Sequence, residues 1–265
     1  MGAAANRLAA LSPTPRLDAE LLMAHALGVT RDTLLLSRLD DAAPDAFAAL
    51  VERRLRHEPV AYITGTRDFW TITLAVGPGV LVPRPDSETL IEAAVDHFAG
   101  TAGPRSVLDL GTGSGALLLA ALDQWPQSGG VGIDASDAAL VIAAGNAARL
   151  GMTDRARFAI GGWTGNGAVH DLILCNPPYI GTGEILGAEV RDWEPASALF
   201  AGEDGLDDYR AIAPVLRGQL APGGVACIEI GSTQAEAASA LFADQGFEFS
   251  VRPDLAGRPR CLVLA

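Results

Sequence analysis

The sequence predicts an α/β protein with a doubly wound, mostly parallel sheet that follows a small helical domain. From Ser106 onward, short apolar segments alternate with helical segments, as in a parallel sheet covered by helices on both faces. A glycine-rich loop follows the first of these apolar segments, at the edge where such sheets bind ligands. The residues before about position 65 show only helical periodicity.

The composition is that of a globular protein. The chain has 265 residues, of which 49% are hydrophobic, so it can bury one large core or two smaller ones. The net charge is −13, and all 19 basic residues are arginine. Because broad contact with a phosphate backbone needs clustered positive charge, we expect no stable nucleic-acid partner. The three cysteines and four histidines lack the spacing of metal ligands, so we expect no metal site.

The amino-terminal segment and the hydropathy pattern predict a cytoplasmic protein. Residues Met1 to Pro13 contain no long apolar core of a signal peptide, and Asn6 stands where a myristoylation signal has Ser or Thr. No segment approaches the ~20 apolar residues of a membrane span. We therefore expect no membrane partner, and since nothing in the sequence indicates an oligomer, we expect a monomer.

Two amphipathic helices are predicted in the amino-terminal region. Their apolar residues recur at helical spacing, at Leu17, Leu21, Leu22 and Ala24 and again at Phe47, Leu50, Val51 and Leu55. Arg53, Arg54 and Arg56 lie largely away from the second apolar stripe. They form either a solvated helix face, which is the commoner case, or a patch that binds a protein partner.

A β-hairpin is predicted between the helical region and the sheet. Alternating side chains from Trp70 to Val76 indicate a first strand, Gly77–Gly79 indicates a turn, and Val80–Val82 indicates a second strand. The predicted domains are a helical domain at residues 1–66, a hairpin linker at 67–83 and a sheet domain at 84–265.

Seven apolar segments are predicted to be the strands of the sheet. They are Ser106–Leu110, Val131–Ile133, Ala156–Ile160, Asp171–Cys175, Val225–Ile230, Phe247–Val251 and Cys261–Leu264. Helical segments fall between them, among them Tyr209–Leu220 and Ala235–Gln245.

The glycine loop predicts a nucleotide-type cofactor site. It consists of Gly111, Thr112, Gly113, Ser114 and Gly115 and lies between a strand and a helix. Its spacing is G-x-G-x-G and not the G-x-G-x-x-G of dinucleotide sites, which favours S-adenosylmethionine over NAD. Asp109, inside the strand, either attracts the cationic end of the methionine moiety or caps the loop. Asp134, at the end of the next strand, either accepts both ribose hydroxyls or caps the following helix with Ser136.

The most specific motif predicts methyl transfer to a planar nitrogen. It is Asn176, Pro177, Pro178 and Tyr179, directly after the fourth apolar strand. The Asn176 side-chain oxygen and the Pro177 carbonyl can accept the two N–H groups of an amide or aromatic amine, and Tyr179 offers a flat face. The alternative interpretation is a rigid turn without catalysis, because two prolines end a strand in any case.

With these motifs, the chain resembles the PrmC/HemK family of release factor glutamine methyltransferases. The likeness covers nearly the whole chain after about residue 16. It includes Glu58–Gly65, Val80–Glu88, the glycine loop, Asn176–Tyr179, Glu229–Gly231 and Ala256–Arg258. The resemblance implies a class I methyltransferase domain with a seven-stranded sheet, a helical amino-terminal domain and a hairpin linker. It implies S-adenosylmethionine as cofactor and, as substrate, the glutamine of the Gly-Gly-Gln loop in class-1 release factors.

The resemblance also assigns roles to individual residues. Cofactor contacts carry over to Gly111, Thr112, Gly113, Ser114, Gly115, Asp134, Trp163 and Asn176, and the substrate clamp carries over to Asn176, Pro177, Pro178 and Tyr179. Trp163 packs against adenine in this interpretation, although the sequence alone is equally consistent with a core aromatic residue. The chain departs from the family at Gly162, where an acidic residue usually accepts the adenine amino group.

Four other functions are consistent with parts of the pattern. They are a glutamine methyltransferase for a ribosomal protein, an adenine-N6 DNA methyltransferase, a non-catalytic S-adenosylmethionine-binding module and an NAD-dependent reductase. Asn-Pro-Pro-Tyr also suits a flipped base, but the chain lacks a basic surface and a target-recognition domain. The amino-terminal motifs favour the release-factor branch, and the loop spacing disfavours NAD.

Overall fold

The computed structural model describes every residue from Met1 to Ala265, and the chain forms two compact units. The helical unit contains Met1–Thr66 together with Leu186–Glu194. The larger unit contains Arg67–Ile185 and Pro195–Ala265.

The helical unit is built from five consecutive helices and one short helix from later in the chain. The helices are α1 (Gly2–Leu8), α2 (Pro15–Leu27), α3 (Arg31–Ser37), α4 (Asp45–Leu55), α5 (Val60–Thr64) and α9 (Ala188–Arg191). Pro15 suits the first turn of α2, where no backbone N–H is needed, and Gly28 ends that helix in the left-handed conformation at φ 67°. Leu8, Leu22 and Leu34 bring three helices together in a fully buried core.

One arginine of α4 lies inside this unit and not on its surface. Arg54 is only 2% exposed, and its guanidinium donates to Asp18 of α2 and to Glu189 of α9, each at 2.7 Å. Both interpretations of the three arginines are therefore wrong for Arg54, which is neither solvated nor available to a partner. A buried arginine is stable here because two carboxylates share its charge. Sequence periodicity does not reveal such partners.

A short hairpin opens the larger unit, but its turn is not where the sequence predicts it. Its strands are β1 (Thr66–Phe69) and β2 (Ile72–Ala75), so the chain reverses at Trp70. Trp70 takes the left-handed conformation at φ 55°, and its N–H donates to the Glu88 carboxylate at 2.9 Å. Val80–Val82 does not form the expected second strand, although a backbone hydrogen bond does close a turn from Gly77 to Val80.

The larger unit carries a seven-stranded sheet. Its strands are β3 (Ser106–Leu110), β4 (Gly129–Asp134), β5 (Ala156–Ile160), β6 (His170–Cys175), β7 (Leu220–Glu229), β8 (Phe249–Pro253) and β9 (Pro259–Leu264). They lie in the order β5-β4-β3-β6-β7-β9-β8. The first five strands in that order are parallel, while β9 pairs antiparallel with both β7 and β8. This architecture confirms the predicted fold class.

The helices of the larger unit cover the sheet. They are α6 (Glu88–His97), α7 (Ala116–Gln124), α8 (Asp137–Arg149), α10 (Asp207–Leu216) and α11 (Ala235–Ala243). The core is continuous across the central strands, where Leu108, Ile173 and Ile228 are completely buried. Because β3, β4 and β6 are parallel neighbours, the segments that follow them meet at one edge of the sheet. That edge carries the glycine loop, Asp134 and Asn176.

Candidate cofactor and substrate site

A cavity of about 600 Å³ lies at this edge of the larger unit. The volume is typical of a small-molecule site. Predicted site residues in its lining are Gly111, Thr112, Gly113, Ser114, Asp134, Trp163, Asn176 and Pro178. Gly115, Pro177 and Tyr179 are not part of the lining.

The glycine loop is held against the end of β4. The N–H groups of Gly111 and Thr112 both donate to the Ile133 carbonyl at 2.9 Å. A side chain at Gly111 would meet the Trp163 ring at 3.4 Å, and φ there is +72°. Glycine at this position therefore provides both the backbone conformation and the space in front of the ring.

Gly115 contributes to the start of α7. It has φ +83°, and a Cβ at this position would lie 3.1 Å from the Leu119 side chain and 3.3 Å from Ala143. Glycine thus lets α7 and α8 approach each other behind the loop. Its predicted cofactor contact stays a prediction.

Asp134 connects the glycine loop to the helix that follows β4. Its Oδ2 accepts a hydrogen bond from the Gly113 N–H at 2.8 Å, and its Oδ1 accepts one from the Ser136 N–H at 2.9 Å. Ser136 in turn caps α8 by accepting from the Ala139 N–H. Because a carboxylate has about four acceptor positions, two of those on Asp134 are not used by these bonds, and the residue lines the cavity. Capping and ribose binding are therefore compatible at this residue.

Asp109 is buried beneath the loop and does not line the cavity. Its Oδ2 accepts from the Thr112 hydroxyl at 2.6 Å and from the Leu118 N–H at 3.2 Å. Burial raises the pKa of Asp109 to about 7, although both hydrogen bonds act to lower it. The structure thus favours the loop-capping interpretation of Asp109 over contact with the cationic end of a cofactor.

Trp163 belongs to the core and to the cavity at once. Its ring packs against the buried cluster around Leu108 and also lines the cavity beside Gly111. The indole Nε1–H donates to Asp208 Oδ1 at 3.0 Å. Both sequence interpretations of Trp163 are therefore compatible with its position.

Asn176 leaves the end of β6 and reaches the cavity wall. Its Nδ2 donates to the Ser87 hydroxyl at 3.2 Å, which orients the side-chain amide. Because Ser87 uses the amide nitrogen, the oxygen Oδ1 is left as an acceptor. Ser87 is 4% exposed and lies in a short 3₁₀ turn, Pro85–Ser87. Asp86 of this turn forms ion pairs with Arg258 and Arg260.

Tyr179 is anchored on a buried carboxylate. Its hydroxyl donates to Glu229 Oε1 at 3.2 Å, and its carbonyl accepts from the Gln234 amide at 2.9 Å. Glu229 is 1% exposed at the end of β7. Burial raises the pKa of Glu229 to about 7, while hydrogen bonds from Ser87 and Tyr179 and the charge of Arg260 lower it. Glu229 therefore accepts hydrogen bonds from both Tyr179 and Ser87, and Ser87 is the residue that orients the Asn176 amide.

Three residues of this site were not predicted as functional. Ser87 and Glu229 lie in segments that carry the family resemblance, but sequence spacing gives no sign that they meet. A charged residue at the end of the apolar segment Val225–Ile230 was the available signal for Glu229. Asp208 lies in the first turn of α10, where acidic residues are common for reasons of helix stability alone. Its place in the cavity lining becomes visible only in the fold.

Comparisons with known proteins agree with this architecture. Residues 2–65 match a family model described as the PrmC N-terminal domain, and residues 104–246 match one described as a methyltransferase domain. A release factor glutamine methyltransferase from Rhodospirillum rubrum is 43% identical over an alignment that covers 94% of this chain and 78% of that protein. One from Moorella thermoacetica is 38% identical over an alignment that covers 99% of this chain and 96% of that protein.

A solved structure supports the fold. A methyltransferase from Pyrococcus furiosus matches with a TM-score of 0.55 at 17% identity, covering 72% of this chain and 86% of that chain. At this level of identity the likeness concerns the fold alone.

The methyltransferase match over residues 104–246 and the relatives identify the larger unit as a methyltransferase domain, so the expected enzyme class is confirmed. Within that class, the chain belongs to the release factor glutamine methyltransferase family, and the resemblance to PrmC/HemK proteins is confirmed. None of its helices combines the length and the apolar character needed to cross a membrane.

Proposed function

We propose that this protein transfers the methyl group of S-adenosylmethionine to the side-chain amide N5 of a release-factor glutamine. The target is the glutamine of the Gly-Gly-Gln loop in class-1 peptide chain release factors. The observation that carries the proposal is Asn176 at the cavity wall, with its amide oriented by Ser87 and its oxygen left as an acceptor. The proposal includes a cytoplasmic location and a monomeric enzyme, with no stable nucleic-acid or membrane partner.

The residues of the cavity fit the cofactor. Asp134 has acceptor positions for both ribose hydroxyls, the glycines allow close backbone approach, and Trp163 offers a ring for the adenine. The bound cofactor supplies an electrophilic methyl group on a sulfonium sulfur, and S-adenosylhomocysteine is the product. The residues from Gly111 to Ser114 and Asn176 complete the proposed contacts, with Gly115 supporting the loop from behind.

In the proposed mechanism, two fixed acceptors orient a poorly nucleophilic nitrogen. The lone pair of an amide nitrogen is delocalised, so attack requires the geometry in which it faces the methyl group. Asn176 Oδ1 and the Pro177 carbonyl each accept one N–H of the substrate amide, and both stabilise the positive charge that develops there. Pro178 stiffens the loop, and Tyr179 provides a flat face whose position is fixed by Glu229. The methylated nitrogen loses its proton readily, so no strong general base is needed.

We further propose that residues 1–66 form the substrate-recognition domain, 67–83 the linker and 84–265 the catalytic domain. The family match at residues 2–65 supports this division. Binding energy from a release-factor surface remote from the glutamine would then position the loop for reaction. Deletion of residues 1–65 is expected to weaken protein methylation while largely preserving S-adenosylhomocysteine binding. Unchanged methylation by the truncated enzyme would argue against this division of roles.

The proposed reaction is tested by transfer of a tritiated methyl group from S-adenosylmethionine to a purified class-1 release factor. The loop glutamine is either intact or replaced by alanine. We expect label on the intact factor and none on the alanine variant. Cofactor binding without label on the release factor would contradict the substrate assignment. Label on a ribosomal protein or on adenine in DNA would then identify the alternative function.

A further inference from the structure

The cavity has a second carboxylate, and its surroundings differ from those of Asp134. Asp134 and Asp208 are the two ionisable residues in the lining, which contains no arginine or histidine. Both oxygens of Asp134 already accept backbone N–H groups. Asp208 accepts one hydrogen bond, through Oδ1 from the Trp163 indole, so that Oδ2 is left for another donor. The lining therefore offers an acceptor to a ligand that carries a donor near Asp208.

The hydrogen bond from Trp163 fixes where that donor must lie. An indole Nε1–H points outward in the plane of the ring, so the Asp208 carboxylate lies at the ring edge. A planar base that stacks on Trp163 therefore brings its own edge close to this carboxylate. Gly162, which precedes Trp163, has no side chain to offer an acceptor, and no atom of a residue beyond its two chain neighbours lies within 4 Å of where its Cβ would be.

We propose that Asp208 accepts a hydrogen bond from the exocyclic amino group of the cofactor's adenine and thereby selects adenine over 6-oxopurines. This inference rests on the proposed S-adenosylmethionine dependence and concerns a residue that the sequence patterns did not single out. A 6-oxopurine presents a carbonyl oxygen where adenine presents an amino group. Carbonyl and carboxylate oxygens facing each other repel, and neither can donate a proton.

The test compares two ligands that differ only at the N1–C6 edge of the base: the adenosyl ligand has a 6-amino group and an unprotonated N1, and the inosyl ligand has a 6-oxo group and an N1–H. The dissociation constants of S-adenosylhomocysteine and S-inosylhomocysteine are measured by titration calorimetry for the wild type, Asp208→Ala and Asp208→Asn. We expect the wild type to prefer the adenosyl ligand strongly. Asp208→Ala should reduce that preference by roughly tenfold or more, the value of one hydrogen bond to a charged acceptor. In Asp208→Asn, the amide can donate to the oxo group, so affinity for the inosyl ligand should rise.

Asp207→Asn is the matched control. Asp207 is the adjacent residue in the first turn of α10, is largely exposed, lies outside the cavity lining and pairs with Arg210 at 2.9 Å. Its substitution removes the same charge from the same helix end. We expect the preference for the adenosyl ligand to be unchanged in this variant.

Three results would overturn the inference. The first is an unchanged preference for the adenosyl over the inosyl ligand in Asp208→Ala. The second is an equal loss of affinity for both ligands in that variant, which would mean that Asp208 acts only by holding Trp163. The third uses 5′-methylthioadenosine, which lacks the amino-acid end of the cofactor. If Asp208→Ala weakens S-adenosylhomocysteine but not this compound, the carboxylate binds the ligand's ammonium group instead of its adenine. A wild type that binds none of these ligands would contradict the proposed cofactor itself, which is a distinct outcome.

Discussion

Substitution of Asp134 by asparagine is expected to weaken cofactor binding strongly while leaving the fold intact. In the structure, the Gly113 and Ser136 N–H groups use one acceptor position on each carboxylate oxygen. Two positions remain, which equals the number of hydroxyls on the ribose. Asparagine keeps the size of the side chain but loses the charge and replaces one acceptor oxygen by a donor. Asp134→Asn therefore alters both the loop contact and the ribose contact.

The size of the effect follows from these contacts. Hydrogen bonds to a charged group contribute about 1.5–3 kcal/mol each, and neutral ones about 0.5–1.5 kcal/mol. Loss of charge assistance at two hydroxyls therefore costs about 2–3 kcal/mol, a factor of roughly 30–150 in the dissociation constant. Titration calorimetry with S-adenosylhomocysteine measures this change, and thermal unfolding shows whether the variant is folded. Asp137→Asn, in the exposed first turn of the same helix, is the matched control and should bind normally. A folded Asp134→Asn variant with wild-type affinity would refute the assignment of the ribose site.

Three further substitutions test the packing around the site and in the helical unit. Asn146→Ala should lower the free energy of unfolding by about 3 kcal/mol in urea denaturation, because Asn146 is 1% exposed and bonds the backbone of Ala75 and Ser114. Arg54→Met should lower the stability of the helical unit by about 3–5 kcal/mol, since two carboxylates lose their buried partner. Glu229→Gln should become progressively more stable than the wild type as pH rises from 5 to 8, by up to about 3 kcal/mol.

The sign for Glu229 follows from its raised pKa. The folded protein keeps this carboxyl protonated up to about pH 7, whereas the unfolded chain releases the proton near the ordinary value of 4.5. The wild type therefore loses stability as pH rises between these two values. The glutamine variant has no proton to release at this position, so its stability does not fall for this reason. A stability difference between variant and wild type that is equal at pH 5 and pH 8 would contradict the buried ionisation.

Exposed arginines nearby serve as controls for Asn146→Ala and Arg54→Met. Arg149→Ala on α8 and Arg56→Met after α4 change exposed arginines and should alter stability by no more than about 0.5 kcal/mol. Near-zero effects of Asn146→Ala or Arg54→Met would show that these buried contacts do not stabilise the fold as argued.

The centre of the sheet was predictable because its strands β3 and β6 are buried on both faces. Ser106–Leu110 matches the observed strand residue for residue, since apolar runs between turn residues have few other solutions. The edge strand Ala156–Ile160 also matches residue for residue, although most of its residues are partly or fully exposed. The hairpin turn was mislocated because Trp70 adopts a left-handed conformation in which its N–H binds Glu88, a residue distant in sequence. Glycine and proline near Gly77 are typical of a hairpin turn, but β2 ends at Ala75, so the pairing of β1 with β2 is complete before that segment begins.

The site residues that lie together in one segment were predictable from the sequence. Those that come together from several segments were not. The glycine loop and Asn176 follow strand ends directly, so their place at the sheet edge follows from topology. Ser87, Asp208 and Glu229 reach the same region from three separate elements. Their roles depend on contacts between residues far apart in sequence, which periodicity and spacing do not encode.

The central claim is that Asn176 orients a release-factor glutamine for methylation, and single-turnover kinetics test it most directly. Wild type and Asn176→Ala are each saturated with S-adenosylmethionine and mixed with a purified class-1 release factor, and tandem mass spectrometry locates the added methyl group. We predict a methyl group on the side-chain amide of the Gly-Gly-Gln glutamine for the wild type, and a rate at least about 100-fold lower for the variant. A methyl group on another residue, or an undiminished rate in Asn176→Ala, would contradict the account.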